Sequence, residues 1–175
     1  MRLASVLATG RGETNRLLSD LAARASQRGL RVVGTVQVNH DPTDGNHCDM
    51  DVRVLPDGPV LRISQSLGTQ SRGCRLDPSA LEQAVRLTEG ALESGADLMI
   101  VNKFGKHEAE GRGFRELIGS ALMRGIPVIV GLNGLNIEAF ADFAGAFAER
   151  LDPTGDAIAA WLDAACPEQS ARRAV

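Results

Sequence analysis

The sequence predicts an α/β protein, a three-layer sandwich around a mostly parallel sheet, P-loop-like but with a degenerate loop and a β-hairpin insertion. Three observations predict it. An apolar run, Leu3 to Ala8, passes into the turn Thr9-Gly10-Arg11-Gly12 and then into residues at helical spacing. Two later runs, Asp97 to Val101 and Pro127 to Gly131, are continuously apolar after their first residue, the pattern of strands buried on both faces of a parallel sheet. Helical stretches precede both, which is the alternation that parallel crossovers require.

Composition bounds the rest. At 175 residues, 43% hydrophobic and 23% charged, the chain is long enough for one α/β domain with a substantial core. We place that domain at residues 1–166 and expect 167–175 to be a disordered tail. A net charge of -3, with no basic run except Arg172-Arg173, argues against nucleic acid as a partner. Aromatics are 3% with no tyrosine, so base-stacking platforms are also excluded and the core must be aliphatic. No apolar run is long enough to cross a bilayer, and Met1 to Ala8 reads as a buried first strand rather than an export signal. Three cysteines at no framework spacing fit a reducing compartment. The expectation is a cytoplasmic protein with no membrane insertion.

The elements follow in order. After the first loop, Leu17, Leu18, Leu21, Ala22 and Ala25 form a helical stripe with Arg16, Asp20, Arg24 and Gln27 between them, closed by Gly29. Arg31 to Val38 is valine-rich and reads as the second strand. An insertion at about residues 40–76 then breaks the rhythm. It holds the turn-rich His40 to Asn46, two alternating runs, Met50 to Leu55 and Val60 to Ser64, joined by Pro56-Asp57-Gly58-Pro59, and an exposed loop from Ser66 to Leu76. Asp77-Pro78 opens a helix with an N-cap and a first-position proline, and Leu81, Ala84, Val85, Thr88, Ala91 and Leu92 are its inner stripe. A helix from Phe114 to Arg124 joins the two buried strands. Two further helices are expected, over Ile137 to Arg150 and Thr154 to Ala165.

The first loop points to an anion. A glycine turn between strand and helix aims backbone N–H groups at one place, where the helix N-terminus adds partial positive charge. Laid on G-x-x-x-x-G-K-[ST], Gly12 and Thr14 match, while Leu7 replaces the first glycine and Glu13 replaces the lysine. A carboxylate about 4 Å from a phosphate oxygen is repelled, by roughly 1 kcal/mol per charge pair in water and about 4 at an effective dielectric of 20. Ordinary ATP binding is therefore not expected. The competing reading is a plain strand-to-helix turn that uses glycine for its backbone freedom.

The second candidate is the run Asn102 to Gly113, at the carboxyl end of a buried strand, where ligands bind in open α/β sheets. A phosphate-binding enzyme ends this strand in an Asp that orders Mg²⁺, often beside a Glu that positions water. Here Asn102 and Lys103 stand in those places, and neither can do that work. Lys103, Lys106 and Arg112 return positive charge, and Glu13 is expected to pair with Lys103 or Lys106; the alternative is that these lysines only solubilise a loop. A third cluster, His47-Cys48 with Cys74 and His40 or Met50, is a metal or redox candidate, with Arg72 and Arg75 flanking Cys74. Its spacing is no zinc pattern, and cysteines packed as small hydrophobes are the alternative.

The run Asn102-Lys103-Phe104-Gly105-Lys106-His107-Glu108-Ala109-Glu110-Gly111, with Cys48-Asp49-Met50-Asp51, Ile63-Ser64-Gln65 and Arg72-Gly73-Cys74-Arg75-Leu76-Asp77, resembles the bacterial DUF2478 family over about Met1 to Arg150. That family is similar to P-loop nucleoside triphosphatases of the THEP1 type. The resemblance implies a P-loop-like α/β sandwich and, because members occur beside molybdate-transport or molybdenum-enzyme functions, a role in molybdenum metabolism. Departures at Leu7, Glu13, Asn102 and Lys103 argue against nucleotide hydrolysis.

The reading that results is a non-hydrolytic protein binding an oxyanion such as molybdate, or a phosphate compound, with nucleotide as the other candidate ligand. Its ligand-binding residues are Thr9, Gly10, Arg11, Gly12, Glu13, Thr14, Asn102, Lys103 and Lys106, and none is catalytic. His47, Cys48 and Cys74 are the metal candidates. The alternatives are a weak nucleoside triphosphatase or kinase-like enzyme, and a structural partner of a transporter or metalloenzyme. Partners consistent with the reading are a small anionic ligand, a second copy of the chain, or a molybdenum-related protein.

Overall fold

The structure is a computed structural model that describes residues 2–39, 50–65 and 75–167. The first strand, β1 (Leu3–Val6), is buried throughout, and helix α1 (Glu13–Gln27) follows the glycine turn with Leu17, Leu18, Leu21, Ala22 and Ala25 facing inward. Strand β2 (Val32–Asn39) completes the first crossover. The hairpin forms as expected, as β3 (Met50–Leu55) and β4 (Val60–Arg62). Beside it, β5 (Ser64–Gln65) and β6 (Arg75–Leu76) make a small two-stranded ribbon, so the end of the expected 66–76 loop is a strand. Helix α2 (Pro78–Glu93) is capped by the Asp77 carboxylate, which accepts from the N–H groups of Ser79 and Ala80 at 2.9 and 3.3 Å. Then come β7 (Leu98–Asn102), α3 (Lys106–Ala109), α4 (Arg115–Met123), β8 (Val128–Gly131), α5 (Ile137–Ala144), β9 (Ala148–Leu151) and α6 (Gly155–Ala165).

The main sheet has seven strands in the order β4-β3-β2-β7-β8-β1-β9. From β2 to β9 the neighbours are parallel, whereas β3 and β4 pair antiparallel, so the insertion widens the sheet at one edge. Side chains alternate between two apolar layers. Leu98 and Ile100 pack with α1 and α6, while Met99 and Val101 pack with α2, α4 and α5.

One expected helix is corrected. The stretch Ile137 to Arg150 stops being helical at Ala144, passes through a 3₁₀ turn at Gly145–Phe147, and becomes β9, paired with β1. Gly145, at φ 55°, ends the helix. The strand was hidden because Ala148-Glu149-Arg150-Leu151 lies on the sheet edge, where charged residues are favoured over an apolar run. The loop from His40 to Asn46, residues 66–74 and most of the expected tail, 168–175, lie outside the described residues.

Candidate functional site

Helix α1 follows β1 on one face of the sheet, and α5 follows the neighbouring β8 on the other, so a crevice is expected where β1 and β8 end. The loop from Leu7 to Gly12 leaves β1 at that point. Gly12 is the N-cap of α1 in the left-handed region, φ 73°, and supplies no side-chain cap. Backbone bonds run from Glu13 N to Gly10 O, 3.2 Å, and from Arg16 N to Gly12 O, 3.0 Å. Among the described residues the N–H groups of Thr14 and Asn15 have no backbone acceptor. Thr14 Oγ1 accepts from Ala8 N at 3.0 Å, which ties the entry of the loop to the first turn of the helix. Thr9, Gly10 and Arg11 are at the surface.

Glu13 turns back over this loop. Its Oε2 lies 2.7 Å from where a Cβ on Gly10 would stand, so a side chain there would displace the carboxylate. The expected pairing is not found at Lys106, whose ion-pair partner is a different carboxylate. Lys106 instead lies 3.6 Å from Glu110, the residue that closes α3, with its side chain 82% exposed. Acidic charge in the first turn suits the helix dipole, which is a sufficient reason for a glutamate to persist there without a partner.

Asn102 ends β7 on the α1 face, as alternation from Leu98 and Ile100 requires, and is 3% exposed. Its Nδ2 donates to Asn15 Oδ1 at 3.0 Å, while its Oδ1 is buried with no hydrogen-bond partner among the described residues. On β8, a Cβ at Gly131 would stand 2.9 Å from Leu18 Cδ1, 3.0 Å from Asn102 Oδ1 and 3.2 Å from Thr14 Cγ2. Glycine therefore lets the first turn of α1 settle onto the sheet beside Asn102. The orphaned oxygen thus lies beside the first turn of α1.

The second loop is built differently. Phe104 is fully buried, edge-on to Phe140 with centroids 5.3 Å apart and stacked on Phe143 at 5.7 Å; Arg115 covers Phe143 at 4.6 Å. Glu108, 2% exposed, accepts from Gly105 N at 2.8 Å and from Phe114 N at 3.1 Å, with Gly113 close against the same carboxylate. Glu110 takes Arg112 as well as Lys106, and the Arg112 hydrogen bond holds its carboxyl below the usual range. Lys103 is half-buried and engaged in interactions of its own. Sequence reasoning missed Glu108. The signal was there in Gly105-Lys106-His107-Glu108, a glutamate three residues into a helix where it reaches back to the first N–H.

His47, Cys48, Cys74 and His40 lie outside the described residues, and Met50 is half-buried against the core from β3. Cys166 is buried, donating to Asp97 O at 3.3 Å, and burial pushes its thiol up. No group of three His, Cys, Asp or Glu side chains capable of holding a metal occurs among the described residues. A groove of about 710 Å³ between α2 and α4, lined by Glu82, Arg86, Glu89, Arg112 and Arg124, lies on the face away from α1. No described helix is long and apolar enough to cross a membrane.

Comparison with known proteins adds two positive findings. A family described as "Protein of unknown function (DUF2478)" matches residues 3–161. The chain is also 32% identical over 160 residues to the Molybdenum import ATP-binding protein ModC 2 of Bradyrhizobium diazoefficiens. That match covers 91% of this chain but only 18% of the relative, so the relative's name describes a much longer protein. No solved structure matches.

Proposed function

Starting from a chain that belongs to the DUF2478 family, we propose a non-hydrolytic anion-binding protein that takes an oxyanion, or the phosphate end of a larger compound, at a degenerate P-loop and acts in molybdenum handling. The observation that carries the reading is the first turn of α1, where among the described residues Thr14 and Asn15 N–H groups have no backbone acceptor and the turn packs beside a buried, unpartnered Asn102 oxygen. Backbone donors at a helix N-terminus suit a small anion. Thr9, Gly10, Arg11 and Gly12 frame it, and Lys103 or Lys106 closes over it. Hydrolysis is disfavoured because Glu13 offers negative charge where a lysine would grip phosphates, and the amide of Asn102 is a poor ligand for Mg²⁺. The molybdenum link rests on the relative's name. The same name carries the second reading, nucleotide binding, and makes ATP a ligand to be tested.

Two measurements test this. Purified protein with Mg²⁺ is expected to show no ATP or GTP turnover above background; turnover on the order of 1 per second, an ordinary enzyme rate, overturns the non-hydrolytic assignment. In a thermal-shift panel of molybdate, tungstate, sulfate, phosphate, ATP and GTP, a true ligand raises the melting temperature by mass action. A panel in which no anion shifts the transition removes the anion-binding reading.

A further inference from the structure

The acceptors in the loop determine what an anion must bring with it. A helix N-terminus offers donors and about half a positive charge, which any oxyanion can use. Here two groups of the opposite character lie at or beside that turn. Glu13 places its carboxylate against Gly10, one of the residues that would frame the ligand. Asn102 Oδ1, the negative end of an amide dipole, is buried at the end of β7 near the Thr14 methyl, with nothing donating to it among the described residues.

Arg11 is exposed on the loop, Arg16 pairs with Asp20 at 3.2 Å, Lys106 pairs with Glu110, and Lys103 has interactions of its own. A fully ionised oxyanion entering this loop would set oxygen against oxygen at Glu13. A hydrogen on the ligand converts that contact into a charge-assisted O–H···O⁻ bond, among the stronger kinds.

We propose that the site selects an anion carrying a hydrogen-bond donor of its own, hydrogen phosphate or a phosphate compound with an adjacent hydroxyl, over oxyanions such as sulfate and molybdate. The proposal rests on the anion-binding reading above and names the ligand chemistry of the same loop. At neutral pH inorganic phosphate retains at least one O–H, whereas sulfate and molybdate retain none. Glu13 is thus a specificity determinant rather than a damaged lysine position.

Calorimetry with inorganic phosphate, sulfate and molybdate at pH 7, on the wild-type chain, Glu13→Gln and Gly12→Val, tests it. Phosphate is expected to bind wild type at least about tenfold more tightly than either rival, a difference of about 1.4 kcal/mol. Glu13→Gln is expected to bring the three within about threefold, because a neutral amide can donate to an ionised oxygen or accept from a protonated one. Sulfate or molybdate binding wild type as tightly as phosphate overturns the selection and leaves the anion site standing. An unchanged preference in Glu13→Gln overturns the role of Glu13. No binding of any probe, or phosphate binding equally well to a folded Gly12→Val, overturns both the selection and the reading it rests on.

Discussion

Two glycine-rich loops leave parallel strands at the same end of the sheet, Leu7 to Gly12 after β1 and Lys103 to Gly113 after β7, and they differ in where their polar groups go. The second loop consumes its own: the Glu108 carboxylate takes Gly105 and Phe114 N–H, Glu110 takes Lys106 and Arg112, and Phe104 anchors the segment in an aromatic cluster. The first loop leaves Thr14 and Asn15 N–H and the nearby Asn102 oxygen unclaimed among the described residues. Composition would have ranked them the other way, since the second loop has more charge. First-turn N–H groups of any helix lack intrahelical acceptors, whereas buried side-chain polar atoms are normally satisfied, so the buried Asn102 oxygen, rather than glycine content or charge, marks the candidate site.

The largest effect expected from this contrast is on stability, at Glu108. Glu108→Leu strands the buried Phe114 N–H and the part-buried Gly105 N–H, at about 1–3 kcal/mol for the first and less for the second, for a total of about 2–4 kcal/mol in urea unfolding. Glu108→Gln keeps one acceptor oxygen but turns an amide donor toward an N–H, and should lose about half as much. A loss under about 1 kcal/mol for Glu108→Leu would mean that the second loop is not held by this carboxylate, and the contrast would fail.

What the sequence revealed follows the same division. Helical spacing located α1, α2, α4 and α6, alternation the β3–β4 hairpin, a valine-rich run β2, and continuous apolar runs β1, β7 and β8, because each element writes the faces it buries into the chain. Strand β9 left no such pattern, having a single neighbour in the sheet. The loop after β1 was readable from Gly10, Gly12 and Thr14 because local backbone geometry calls for them. The Asn15 partner of Asn102 was not, since it depends on the register of β7 against β8 and on how closely α1 approaches Gly131. Those distances are tertiary, and residue type alone is silent about them.

An intermediate effect separates the loops by function. Gly12→Val forces a β-branched residue to φ 73°, at a cost of about 1–2 kcal/mol, and should abolish anion binding by blocking the turn. Gly113→Ala, at φ 59° and against the Glu108 carboxylate, should destabilise the fold by a similar route. Its anion affinity should nevertheless stay within about twofold of wild type, a change worth only about 0.4 kcal/mol. Calorimetry on both folded variants decides: equal losses of affinity would show that the two loops form one site rather than a site and its scaffold.

The smallest effect is expected at Lys106, where the two loops would meet if the lysine closes over a bound anion. Without ligand its ammonium pairs with Glu110 on the surface of α3, and an exposed pair of this spacing contributes little to folding. Lys106→Ala should therefore leave the urea midpoint unchanged. Binding is another matter. Because Arg112 lowers the Glu110 pKa, the contribution of that carboxylate is present above its unfolded pKa and is lost only as the pH falls through the lowered folded value. Glu110 is thus ionised throughout a titration at neutral pH, and Lys106 must leave a charged partner to reach the ligand. The net gain from closure is accordingly modest, about tenfold in affinity, the low end for a charge-assisted contact. Calorimetry with inorganic phosphate on Lys106→Ala checks it. An affinity equal to wild type would assign Lys106 wholly to the second loop and leave Lys103 as the residue that closes the first.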